Sequence, residues 1–137
     1  MFTLSAHCQS NFPFRKQQSD LDIPLDDGMK DAKYLSTVLP EINRVVQQYR
    51  PEFILYDAGV DVTADDELGR LNLSRGGLME RDTWVFELGV RFGCPIVSVI
   101  GGGYQRDYEE LARRHLVVVQ AANSVWKRHR VGLRAWS

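Results

Sequence analysis

The sequence predicts an α/β domain in which a parallel sheet is flanked by helices. Short apolar runs, each closed by Asp or Gly, alternate along the chain with longer segments whose apolar residues recur at helical spacing. The 137 residues are also enough to bury one core without disulfide or metal staples. Alternation of this kind builds right-handed βαβ units and places helices on both faces of the sheet. No internal repeat, low-complexity stretch or linker divides the chain, so one domain over 1–137 is expected, with a basic tail over 123–137.

Each element follows from local chemistry. Phe2 to Ser5 is β-favouring and leads through Ala6-His7-Cys8 into a polar loop containing Asn11, Phe12, Pro13 and Phe14. Asp20 to Leu25 alternates polar and apolar residues, but Pro24 cannot donate to a ladder and limits it to a short or edge strand. Asp26-Asp27-Gly28 then makes a turn. From Asp31 to Arg50 the apolar stripe of Tyr34, Leu35, Val38, Leu39, Ile42, Val45, Val46 and Tyr49 marks a helix, which Pro40 is expected to kink or split. Phe53 to Tyr56 reads as a buried parallel strand opening into Asp57-Ala58-Gly59, with an acidic loop from Asp61 to Glu67 beyond it. Ser74 can cap a helix that reaches Phe92 and stops at Gly93. Ile96 to Ile100 is a third buried strand and runs into Gly101-Gly102-Gly103-Tyr104. The last helix is expected from about Asp107 to Ala122, followed by a tail bearing Lys127, Arg128, Arg130 and Arg134.

Composition excludes several roles. With 17 Lys and Arg against 18 Asp and Glu, the chain lacks the basic excess of a nucleic-acid binder. Its apolar runs fall short of the roughly 18 residues that cross a bilayer, and its start lacks a signal-peptide pattern, so no membrane role is expected. Cys8 and Cys94 stand far apart without a CxxC pair, which suggests neither a disulfide framework nor a zinc finger and points to a reducing, cytoplasmic compartment.

Ligands of open α/β sheets lie beyond the carboxyl ends of the strands, which directs attention to three loops. They carry His7, Cys8, Asn11 and Phe12, then Asp57, Asp61, Asp65 and Asp66, then the three glycines and Tyr104. Asp61 has two readings, a cation ligand aimed into a cleft or an ordinary loop cap. Gly101 to Gly103 let backbone approach a ligand closely, and a buried Tyr104 phenol there can donate to an oxyanion; the plainer reading is a tight turn with a tyrosine packed on the surface. The glycines do not suit phosphate, because neither GxGxxG spacing nor a following Lys-Ser/Thr pair is present. Neighbouring His7 and Cys8 on a strand point to opposite faces and cannot share one ion.

Taken together, Asp57-Ala58-Gly59-Val60-Asp61, Asp66-Glu67-Leu68-Gly69, Leu71, Leu73-Ser74, Gly77, Arg81-Asp82 and Gly101-Gly102-Gly103-Tyr104 resemble the zinc-dependent histone deacetylases and their bacterial relatives of the arginase-deacetylase fold, most closely the class IV branch. Phe2 to His7, Asn11 to Phe14 and Ile23 to Gly28 have counterparts in the same order, so the match covers residues 1 to about 122. The resemblance implies a partial arginase-deacetylase fold, with Asp61 as a zinc ligand and Tyr104 as the phenol stabilising the tetrahedral intermediate. It further implies that Phe12, Gly102 and Gly103 line an acyl-lysine channel and that Ser5 with the carbonyl of Ala6 holds potassium. The implied substrate is an acetylated lysine or a related acylated amine, hydrolysed to a free amine and a carboxylate.

The family's other two zinc ligands, an Asp-x-His, and its tandem histidines would precede residue 1. His115 and His129 are expected far from the strand ends and do not replace them. The chain then corresponds to the C-terminal half of a deacetylase. The ligand-bearing strand of that family would lie between the strands near Phe2 to Ser5 and Phe53 to Tyr56, leaving a gap or a rearranged sheet with unpaired edges. The alternative expectation is a truncated product without turnover, or a non-enzymatic interaction fragment. Oligomeric state and the choice among acylated substrates are left open.

Overall fold

The computed structural model describes residues 1–130 and shows the expected α/β order of parallel strands flanked by helices. The elements are β1 (Leu4–Cys8), β2 (Leu21–Leu25), α1 (Asp31–Tyr49), β3 (Ile54–Asp57), α2 (Arg75–Phe92), β4 (Ile96–Val99) and α3 (Tyr108–His129). α1 runs unbroken through Pro40, against the expected split. Pro40 and Ser36, whose carbonyl loses its helical partner, are both exposed, so water can replace the missing bond. α2 begins as its sequence dictates, with the Ser74 hydroxyl accepting from the Gly77 amide, and Gly93 closes it at φ 63°. α3 extends to His129 because the buried stripe of Val117, Val118 and Ala121 continues to Val125. Lys127 and Arg128 therefore belong to the helix, Arg130 is its left-handed cap, and Arg134 lies outside the described residues.

Among the described residues the strands form two parallel pairs rather than one continuous sheet, the gap with unpaired edges that the resemblance implies. β1 pairs with β2, Leu4 opposite Leu21 and Cys8 opposite Leu25; β3 pairs with β4, Ile54 opposite Ile96 and Asp57 opposite Val99. The Leu21 amide donates to the Thr3 carbonyl and the Gln9 amide to the Leu25 carbonyl. The alternation of a parallel ladder then turns the main-chain groups of Leu4, Ala6 and Cys8 to the other edge of β1. The Ile54 amide donates to Pro95 and the Ala58 amide to Val99, which leaves Leu55 and Asp57 on the open edge of β3. β3 and β4 are also less buried than expected. α2 covers one face, where Tyr56 meets Phe86 edge-on, while Leu55 (63% exposed) and Val97 (54% exposed) stand bare on the other.

The interior has two lobes. One gathers Ile23 and Leu25 with Tyr34, Leu35, Val38 and Leu39 of α1, and the other joins Val60 to Leu78 of α2 and Val117 of α3. Val62 packs against both. The helices are tied at their starts, because Asp31 accepts from the Ser74 amide (2.8 Å) and hydroxyl (2.6 Å), and a side chain at Gly77 would collide with that carboxylate. Among the described residues no helix is long and apolar enough to cross a membrane.

The bare face of β3 and β4 makes a direct prediction. The double substitution Leu55→Thr and Val97→Thr should reduce binding of an apolar fluorescent dye while shifting stability by no more than about 0.5 kcal/mol per site, the usual range for exposed positions. Undiminished dye binding would contradict this exposure.

Candidate active site

A cavity of about 330 Å³ opens where the end of β1 faces the loop that follows β3. Ser5, Ala6, His7, Cys8, Phe12 and Asp61 are among its walls. His7 Nδ1 lies 2.9 Å from the Ser5 hydroxyl, whereas Cys8 is buried and donates to Asp27 at 3.2 Å, so the two neighbours do part company as strand geometry requires. The Ala6 carbonyl is on the open edge of β1, and Phe12 stands on the rim, 81% exposed.

Asp61 leaves β3 through a loop gripped from both sides. The Gly102 carbonyl accepts from the amides of Val60 (2.6 Å) and Asp61 (3.1 Å), which clamps the loop after β3 to the loop after β4. All three glycines are explained by this contact: a Cβ on Gly101 would strike the Asp57 carboxylate, on Gly102 the Asp61 carboxylate, and on Gly103 both Val60 and His115. The approach they allow is therefore by the protein's own acidic loop. Beneath it, buried Arg81 donates to the Gly59 carbonyl (2.9 Å) and to Asp82 (2.9 Å), and Asp82 also accepts from the Tyr56 hydroxyl (2.5 Å). Burial pushes the Tyr56 phenol well above its ordinary range, so it remains a donor.

The Asp61 carboxyl is raised chiefly by burial, with the neighbouring Asp66 charge adding to it, and no side chain of the described residues donates a hydrogen bond to it. A half-buried anion without a side-chain donor is suited to a cation. The described residues hold no group of three or more His, Cys, Asp or Glu that could bind one together, so Asp61 fits as a single ligand within a larger set. Tyr104 follows the glycines and is 47% exposed as a residue, more open than the buried phenol expected.

His115 corrects another expectation. Far from being remote, its Nε2 lies 2.8 Å from where a Gly103 Cβ would stand, and its Nδ1 is buried without a partner. Burial lowers its pKa, Arg114 lowers it further and Asp61 opposes them, which keeps the ring neutral near pH 7. His129 is remote as expected, 2.6 Å from Glu87 at the far end of α3. Arg81, Asp82, Arg114 and His115 were not apparent as a supporting shell. The available signal was three charged residues, Arg81, Asp82 and Arg114, standing within apolar helical stripes.

The family's histone deacetylase domain matches residues 1–122, and the chain belongs to the histone deacetylase family. An uncharacterized protein of Picosynechococcus sp. is 39% identical over 126 residues, 92% of this chain and 42% of that protein. Histone deacetylase clr6 of Schizosaccharomyces pombe is 36% identical over 84 residues, 61% of this chain and 20% of its own. Among solved structures, an HDAC homolog complexed with SAHA superposes with a TM-score of 0.71 at 28% identity, covering 89% of this chain and 35% of that one. An acetylpolyamine aminohydrolase from Burkholderia pseudomallei shares the fold, with a TM-score of 0.73 at 18% identity over 90% of this chain and 38% of its own. The chain thus spans less than half the length of these relatives.

The raised Asp61 carboxyl has a signed consequence for stability. The stabilising protonated form is fully present below the unfolded value of 3.8 and its contribution is lost as pH rises from there toward the folded pKa. Asp61→Asn, which cannot ionise, should therefore raise the melting temperature of the metal-free chain at pH 7, and the difference should close in acid. An equal or lower melting temperature at pH 7 would refute the burial of this charge.

Proposed function

We propose that this chain supplies one wall and two working side chains of a zinc-dependent deacylase acting on acetyl-lysine or a related acylated amine. The observation that carries the reading is Asp61, a half-buried carboxylate without a side-chain donor, facing a cavity and clamped beside Gly102 in a chain of the histone deacetylase family. Asp61 would be one ligand of the ion, and the remaining ligands come from outside the described residues. Bound zinc supplies Lewis acidity, polarising an amide carbonyl and lowering the pKa of a water.

The chain's own residues then have distinct tasks. The Tyr104 hydroxyl donates a hydrogen bond to the carbonyl oxygen as negative charge develops there. Phe12 at the rim covers the apolar stem of an acylated side chain, and Gly102 and Gly103, packed against Asp61 and His115, would form the adjoining backbone wall of the channel. Ser5 and the unpaired Ala6 carbonyl offer oxygens to a potassium ion, a hard cation that such neutral donors suit. The class of substrate is supported by the acetylpolyamine aminohydrolase and the SAHA-bound homolog among the structural neighbours. Both cysteines are free, in keeping with a cytoplasmic location.

Turnover tests the proposal. The zinc-loaded chain is assayed on an acetyl-lysine peptide and an acetylated diamine, alone and mixed with the portion of the Picosynechococcus relative that it does not match. Activity is expected in the mixture, falling by about 10² to 10³ in kcat for Tyr104→Phe, the usual worth of one oxyanion donor. Equal rates for Tyr104→Phe and wild type would overturn the role of Tyr104, and no turnover in any combination would overturn the deacylase reading.

A further inference from the structure

Asp66 holds more hydrogen bonds than any reading of it as a surface acidic residue requires. Its side chain is fully buried. One oxygen accepts from the amides of Leu68 (3.0 Å) and Gly69 (2.7 Å), and the other from the amide of Tyr104 (2.7 Å), a residue 38 positions away. A buried carboxylate is costly without a counter-charge, and one is present: Arg114 of α3, itself buried, has Nη1 3.8 Å from the Asp66 oxygen that accepts from Tyr104. Arg114 is in turn aimed by the Thr63 hydroxyl (2.6 Å) and by the side chain of Gln105, immediately after Tyr104. The clamp is doubled on the main chain, where the Glu67 amide donates to the Tyr104 carbonyl (2.9 Å).

We infer that Asp66, with Arg114 as its counter-ion, is a positioning residue that fixes the Tyr104 backbone relative to the loop carrying Asp61. The inference rests on the deacylase reading for its functional meaning, though not for its geometry. A tyrosine that follows three glycines gains no restraint from neighbouring side chains, so beyond the Gly102 carbonyl its place is set by the hydrogen bonds of its own main chain. A donor must be held within about half an ångström of its productive place to act on developing charge. The Asp66 carboxylate, with the Glu67 amide, supplies that restraint at the residue where the glycine run ends. Asn at 66 would keep the shape but present an NH₂ group to donors on one side, so it can serve either Tyr104 or the Leu68 and Gly69 amides and not both.

Amide hydrogen exchange on the full 137-residue chain reads the clamp directly. The Tyr104 amide should be protected in the wild type and should exchange at least about tenfold faster in Asp66→Asn, while the amides of Val85 and Val117 in the helix interiors keep their rates. Arg114→Lys, which keeps the charge but loses the fork to Thr63 and Gln105, should show a smaller acceleration at the same amide and serves where Asp66→Asn fails to fold. In the turnover assay Asp66→Asn should lower kcat with KM unchanged, and should cost nothing further in a Tyr104→Phe background, a coupling that general destabilisation would not produce. An unprotected Tyr104 amide in the wild type, or unchanged protection in both variants, would overturn the inference. Additive losses in the double variant would overturn the functional role. Should the wild type turn over no substrate, the deacylase reading fails alone, and the exchange data still decide the clamp.

Discussion

The arrangement depends on a short knot of main chain and carboxylate at Asp66-Glu67-Leu68. Three loops leave the ends of different strands, and all three are tied there. The loop after β1 is joined through the Asn11 amide group donating to the Leu68 carbonyl (3.1 Å), and the loop after β4 through the Tyr104 amide donating to Asp66 (2.7 Å). The knot itself belongs to the loop after β3. Each hydrogen bond contributes only about 1 kcal/mol net, but breaking the one from Tyr104 strands an oxygen of the buried Asp66 carboxylate and costs more than it gave. Asp61 and Tyr104 are therefore carried on one connected support rather than on two independent loops.

That support matters because the strands below do not provide it. In a continuous parallel sheet the strand ends fix the loops, and here two ladders stop short of each other with Leu4, Ala6 and Cys8 on one open edge and Leu55 and Asp57 on another. The lobes are joined instead by Val62, which packs in both, and by the Asp31 to Ser74 link between α1 and α2. Arg81 adds a third tie. It carries its charge into the interior to hold the Gly59 carbonyl, and although burial opposes that charge, the Asp82 carboxylate 2.9 Å away balances it. Such a buried ion pair is weak evidence for stability, and its evident use is to define where the loop to Asp61 begins.

Much of this was legible in the sequence, and what was not has physical causes. Element order, the Ser74 cap, the Gly93 stop and the edge position of Pro24 follow from local chemistry. The extension of α3 was hidden because Ala121 and Val125 continue the stripe weakly among polar neighbours. The continuity of α1 through Pro40 depends on which face the proline occupies, a tertiary fact. The break in the sheet was foreseen as a consequence of the family resemblance, and local propensity carries no trace of it. Asp61, Gly102, Gly103 and Tyr104 are candidates by their place after strands, and the structure brings their loops together. The packing of His115 beside Gly103 and the pairing of Arg114 with Asp66 were not legible, because they join positions brought together only by the docking of α3.

In the proposed function Asp61 is one metal ligand, with no group of three or more ligating side chains among the described residues to complete the set. Zinc binding to the 137-residue protein, titrated against a chromophoric chelator before and after gel filtration, tests it most directly. Weak zinc binding that is lost on filtration and absent from Asp61→Ala is expected where one carboxylate stands in place of the usual three protein ligands. One zinc per chain that survives filtration, or binding unchanged by Asp61→Ala, would contradict it.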